Sequence, residues 1–226
     1  MNQRTSRRPR FAQSAALVTM LVVSGCSLPA VDMAHFPSPA VDQEKSAPGK
    51  RTAIFSGGCF WCTEAVFDDL AGVSDVVSGY TGGAAADAEY HKVSTGTTGH
   101  SESIRLTYDP AKVSYGTLLK VLFAIAIDAT QKGGQGPDWG PQYESVIWFT
   151  TPEQERIARA YIKQLNAAKV FGAPIATEIR PAKPFYTAEA YHQQCARKNP
   201  NMPYIAGIAI PKTVKLRKYF PELLKK

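Results

Sequence analysis

From residue 51 onward, short apolar runs alternate with stretches of helical spacing, and the two periods mark out the elements. Residues 51–56 and 73–80 read as strands flanking a helix that opens at Cys59, with apolar positions at Phe60, Ala65, Val66 and Leu70. Ser103 to Tyr108 alternates polar with apolar and is closed by Asp109-Pro110, the pattern of a half-buried strand. Tyr115 to Ile127 shows broad helical hydrophobicity, with Leu118, Leu119, Leu122 and Phe123. A glycine-rich loop, Lys132 to Pro137, leads to a strand at 145–149. Thr151-Pro152-Glu153-Gln154 combines an N-cap, a proline at the first helical position and early acids, so it starts a helix running to Ala168. A strand at 175–179 and a short helix from Thr187 to Arg197 complete the set. Interleaved elements without repeats predict a two-layer α/β domain over 51–226, with strand order left open.

The first 50 residues have a different pattern. A basic start is followed by the apolar run Ala15 to Val23, too short for a transmembrane helix, which needs about 20 residues. Residues 1–25 therefore read as an export signal. The run ends at Val23-Ser24-Gly25-Cys26-Ser27, which resembles the lipobox of bacterial lipoproteins and makes Cys26 a candidate lipidation site. Ordinary secretion is the alternative. Residues 26–50 are rich in Pro, Ala and Ser without apolar periodicity, which predicts a flexible tether.

Composition excludes more than it assigns. With 44% apolar and 20% charged residues the chain is globular rather than disordered. Arg4, Arg7, Arg8 and Arg10 carry four of the seven net positive charges, so the folded part holds only three. No dense basic stripe with interleaved aromatics remains, and nucleic acid is not an expected partner. The cluster Lys212, Lys215, Arg217 and Lys218 reads as a solvated helix face.

The candidate chemistry lies in Gly57-Gly58-Cys59-Phe60-Trp61-Cys62. A thiol that leaves a strand through a glycine turn sits at the first turn of a helix. Unpaired N–H groups and the helix dipole there favour an anion, which predicts a stabilised thiolate at Cys59. The two glycines would let a substrate approach the backbone. Phe60 and Trp61 can wall an apolar pocket beside the sulfur, and Cys62 supplies a second thiol.

Four further segments follow in order: Ser78-Gly79-Tyr80-Thr81-Gly82-Gly83, Thr98-Gly99-His100-Ser101-Glu102, Gly140-Pro141-Gln142-Tyr143, and Phe185 to Gln193. With the cysteine motif, they make the stretch from Arg51 to Pro200 resemble peptide methionine sulfoxide reductases of the A type. The resemblance implies an α+β fold, a two-layer sandwich with a core related to the ferredoxin-like one. It also implies reduction of the S epimer of methionine sulfoxide, with no nucleotide, metal or other cofactor. Cys59 would attack the sulfoxide sulfur. Glu102 would protonate the oxygen, and Tyr80 and Tyr143 would hydrogen-bond it. Phe60 and Trp61 would receive the S-methyl group, and Asp128 would order the polar side. His192 is expected to be a structural hydrogen-bonding residue rather than a base. The chain departs from the family pattern at Ile127-Asp128-Ala129-Thr130, at Glu144 on the edge of the site, and at Cys195, where an aromatic residue is usual.

Attack by Cys59 would leave a sulfenic acid that condenses with a second thiol. Cys62, held near by the chain, is the favoured resolving residue; Cys195 is the alternative. A thioredoxin-like dithiol protein would restore the enzyme, which is expected to be a monomer in the periplasm or cell envelope, touching the membrane only through a lipid on Cys26. Two rival classes remain: a structural zinc site made by Cys59, Cys62, His192 and Cys195, and a general dithiol oxidoreductase.

Overall fold

The computed structural model describes residues 31–43 and 49–226. The export signal at 1–25 and Cys26 lie outside the described residues. The strands are β1 (Arg51–Ser56), β2 (Val73–Thr81), β3 (Ser101–Tyr108), β4 (Gly134–Gln135), β5 (Asp138–Trp139), β6 (Val146–Phe149), β7 (Glu178–Pro181) and β8 (Phe185–Thr187). The helices are α1 (Phe60–Asp68), α2 (Tyr90–Val93), α3 (Tyr115–Val121), α4 (Pro152–Ala167), α5 (Cys195–Lys198) and α6 (Ile210–Tyr219).

Six strands form one sheet in the order β7-β6-β1-β3-β2-β8, and β4 with β5 makes a separate hairpin. β3 lies between β1 and β2 and is antiparallel to both, while β6 runs antiparallel to β1. The chain thus follows β-α-β-β-α-β order through β1, α1, β2, β3, α3 and β6, the split βαβ arrangement expected of a ferredoxin-like core. β7 joins parallel to β6, and β8 extends the far edge beside β2.

The helices cover one face of this sheet. Ala53 and Phe55 of β1 point into the large core with Val66 and Phe67 of α1, Leu118 and Leu119 of α3, and Ile157, Tyr161 and Leu165 of α4. The other face holds a small cluster of Ile54, Val146 and Trp148. Trp148 donates its indole N–H to Ser56 Oγ at 2.8 Å, which satisfies the polar atom this buried ring brings with it. Thr151 caps α4 as expected, accepting from the Gln154 N–H at 3.2 Å. Ser114 caps α3 in the same way, at 3.0 Å from the Thr117 N–H.

Three expectations change. The strand expected at 175–179 forms at Glu178–Pro181 instead. Thr187 ends strand β8 rather than opening a helix, and helix appears only at Cys195–Lys198. The tether over 26–50 is corrected for residues 31–43, which lie seated on the domain. Phe36, 4% exposed, packs on Phe171 with ring centroids 6.0 Å apart. Tyr161 donates to the Pro37 carbonyl at 2.6 Å, and Gln164 bridges the Ala40 N–H and the Ser38 carbonyl at 2.8 Å each. Asp42 accepts from the Gly116 N–H at 2.8 Å and from Ser114 Oγ at 2.5 Å, placing a carboxylate at the positive end of α3. Isolated anchors such as Phe36 carry no periodicity, so the pattern along the chain did not reveal them.

Candidate active site

Cys59 is the N-cap of α1, partly exposed, with no side-chain capping bond that would occupy its sulfur. Gly58, at φ +78°, delivers it. A Cβ at Gly58 would lie 2.5 Å from Gln135 Cβ, and one at Gly57 would lie 2.6 Å from Ile127. Close packing by the chain's own side chains therefore requires glycine at both positions. Gln135 is itself pinned by two 2.8 Å hydrogen bonds to the Asp128 backbone.

Glu102 and Tyr80 are direct cross-strand partners on β3 and β2. Glu102 is 2% exposed and accepts the Phe60 N–H at 3.0 Å, which fixes the carboxyl beneath the start of α1. Burial outweighs that hydrogen bond and pushes its pKa up to about 8. At neutral pH the group is thus mostly a carboxylic acid, able to donate a proton. Tyr143, in a 3₁₀ turn, faces Glu102 and Tyr90; burial and those neighbours hold its phenol well above its usual range.

Tyr80 is fully buried and packs on Phe60 at 5.8 Å between centroids. Its hydroxyl donates to Glu189 at 2.8 Å, and Glu189 also accepts the Tyr90 N–H at 2.9 Å. Trp61 donates its indole N–H to His192 Nδ1 at 3.0 Å. That nitrogen is therefore unprotonated, and the remaining proton sits on Nε2, 3.8 Å from Glu189. His192 orients the indole, as expected of a structural residue. Phe60, Trp61, Tyr80, Tyr90 and His192 form one aromatic group beside Cys59.

The surroundings of Cys59 work against the anion that the helix start favours. Contact with Cys62, burial and the Glu102 carboxyl push the Cys59 thiol up, against a smaller lowering by the Trp61 N–H at the helix start. Cys62, 1% exposed, is held lower because Cys59 hydrogen-bonds to it and Lys212 and Tyr204 face it. Cys195 is 3% exposed and hydrogen-bonds to the Asn199 amide at 3.6 Å; burial and the nearby Glu64 raise its thiol.

Asp128 does not belong to this group. It is exposed and accepts from the N–H and hydroxyl of Thr130 at 2.9 and 2.8 Å, an Asx turn serving its own loop. The aspartate beside the site is Asp138 of β5, which hydrogen-bonds to Tyr204 at 2.5 Å and acts on Glu102, Cys62 and Tyr143. Reading the sequence missed Asp138, Tyr204 and Glu189. For Asp138 a signal was present: it lies five residues before Tyr143, in a Gly- and Pro-flanked hairpin. Glu144 lies beside Gln131, Lys132 and Glu178, and is not among the charges that shift Glu102. Among the described residues no three of His, Cys, Asp and Glu gather to hold a metal ion.

Comparison with known proteins agrees with this geometry. The family model described as peptide methionine sulfoxide reductase matches residues 51–223. The chain is 53% identical over 180 residues to peptide methionine sulfoxide reductase MsrA 2 of Mesorhizobium japonicum, covering 80% of this chain and 92% of that one. It is 46% identical over 186 residues to MsrA of Deinococcus radiodurans, covering 81% and 90%. Among solved structures it resembles methionine sulfoxide reductase A of Corynebacterium diphtheriae, with TM-score 0.58 and 32% identity, covering 76% of this chain and 87% of that one. The reduced form of Mxr1 from Saccharomyces cerevisiae gives TM-score 0.59 and 29% identity, covering 74% and 94%.

Proposed function

The chain belongs to the peptide methionine sulfoxide reductase family, and we propose that Cys59 attacks the sulfoxide sulfur of an oxidised methionine held against Phe60 and Trp61. The protein is an oxidoreductase that returns methionine sulfoxide in peptides to methionine. The observation that carries the mechanism is Glu102: a carboxyl buried under the first turn of α1, pushed to about 8, and fixed by the Phe60 N–H. Its proton neutralises the sulfoxide oxygen as the S–O bond breaks, and the Tyr143 hydroxyl steadies that oxygen. Tyr80 can join only by turning its proton away from Glu189. The oxygen ends on Cys59 as a sulfenic acid, and methionine leaves.

Cys62 then attacks the sulfenic sulfur, water departs, and a Cys59–Cys62 disulfide remains. Cys62 is preferred to Cys195 because its thiol is in contact with Cys59. The S epimer is the substrate, and a thioredoxin-like dithiol protein reduces the disulfide. Residues 1–25 act as an export signal and Cys26 carries the lipid, placing a monomeric repair enzyme in the cell envelope. Among the described residues no helix is long and apolar enough to cross a membrane. The test is Cys59→Ser: methionine formation from the sulfoxide should be abolished, and retained turnover would overturn the assignment.

A further inference from the structure

Cys62 must lose a proton when it attacks the sulfenic acid, yet it is 1% exposed and water has almost no access to it. Its walls are Ala196, Ile205 and Ala209, with Cys59, Trp61 and Tyr204 packed against them. The oxygen within reach of its sulfur is the Tyr204 hydroxyl, at 3.8 Å. That hydroxyl lies 2.5 Å from Asp138 Oδ2. A phenol has one proton to give, so with Tyr204 donating to Asp138 its oxygen is left to accept from the Cys62 thiol. The result is a chain from thiol to phenol to carboxylate. The Tyr204 ring is braced edge-on against Trp61, with centroids 6.0 Å apart. Burial and the surrounding negative groups hold the phenol protonated, so it can pass a proton on without ionising. Lys212, anchored on the Ala126 carbonyl at 2.6 Å, adds positive charge on the Cys62 side.

We propose that Tyr204 is a catalytic residue of the second step, positioned by Asp138, and relays the Cys62 proton to Asp138 as the disulfide forms. The inference rests on the reading of Cys62 as the resolving thiol. The Cys62 sulfur bonds to the Cys59 sulfur, and the S–O bond of the sulfenic acid breaks. Glu102, reprotonated from solvent after methionine leaves, gives a proton to the departing hydroxide, which leaves as water. The Cys62 sulfur is oxidised and the Cys59 sulfur reduced by the same electron pair. The Cys62 proton ends on Asp138, and exchange with solvent returns Glu102 and Asp138 to their starting states.

The experiment is rapid quenching of the full-length, pre-reduced protein with one equivalent of methionine sulfoxide. Methionine, free thiol and disulfide are followed separately, and the sulfenic acid is captured with a 1,3-dione. Tyr204→Phe keeps the ring on Trp61 and removes the relay. One equivalent of methionine should still appear, while disulfide formation falls behind it by roughly tenfold to a hundredfold and captured sulfenic acid accumulates. Asp138→Asn keeps an accepting oxygen but not the basicity, so it should produce the same lag, and Asp138→Glu should recover part of the rate. Disulfide formation keeping pace with methionine release in both Tyr204→Phe and Asp138→Asn would overturn the relay. A wild-type disulfide mapped to Cys59–Cys195 would instead overturn the assignment of Cys62 on which the relay stands.

Discussion

Replacing Glu102 by glutamine removes one proton and leaves the shape of the side chain almost unchanged. With a pKa of about 8, Glu102 is a neutral acid in about nine of ten molecules at pH 7; at an ordinary 4.5 it would be neutral in about three per thousand. Burial under the start of α1 therefore enlarges the population of proton donor roughly 300-fold. Loss of a positioned general acid costs on the order of 10²–10⁴ in rate, and Glu102→Gln should lose that much in single-turnover methionine release. The pH profile gives a sharper sign. The Cys59 thiol is held above its usual range, so the thiolate population grows with pH, while the Glu102 acid population shrinks above about 8. Wild type should rise with pH and level off near 8; Glu102→Gln should keep rising through that range. The assay is rapid-quench methionine release from pH 6 to 9.5 with the sulfoxide saturating. A glutamine variant within tenfold of wild type at pH 7, or one that keeps the break near pH 8, would refute the role of Glu102.

Cys62→Ser should release one equivalent of methionine and then stop with a thioredoxin-type reductant, whereas Cys195→Ser should turn over as wild type does; the reverse pattern would make Cys195 the resolver. Phe36→Ala should lose about 1.5–3 kcal/mol of burial free energy, lowering the melting temperature by about 3–12 °C. An unchanged melting temperature would mean that residues 31–43 contribute nothing to the fold. Glu64, 2% exposed, is pushed up to about 7 by burial, which outweighs the lowering by the Gln194 N–H and Ser78. Because its folded pKa lies above its usual 4.5, the group makes the fold less stable as pH rises from about 4.5 to 7. Glu64→Gln should therefore raise the melting temperature at pH 8 relative to wild type more than at pH 5, and an equal difference at both would contradict this.

What the sequence revealed and what it hid follow from the range of each signal. Strand, glycine turn, cysteine and helical spacing follow one another between Arg51 and Leu70, so the position of Cys59 at the start of α1 was legible. The Thr151-Pro152 start of α4 was legible for the same reason. Asp128 misled because the sequence offers two aspartates on either side of one glycine-rich loop. Only the folding back of the β4–β5 hairpin brings Asp138 to Tyr204, 66 positions away along the chain. Glu189 reaches Tyr80 across 109 positions, and no local period marks such a contact. Phe36 and Asp42 sit in a stretch whose composition resembles a linker, yet each finds a partner on α3, on α4 or in the loop after α4. At Cys59 the local signal and the surroundings pull in opposite directions. The helix start does favour the anion, but burial, Glu102 and the neighbouring thiol outweigh it.

The central claim is that Cys59 takes the sulfoxide oxygen and Cys62 closes the cycle. Its most direct test is single-turnover reduction of each sulfoxide epimer by the pre-reduced protein, followed by mass mapping of the disulfide formed. The account predicts one methionine per enzyme from the S epimer and a Cys59–Cys62 link. No methionine from either epimer, or methionine released with Cys59 still a free thiol and outside any disulfide, would contradict it.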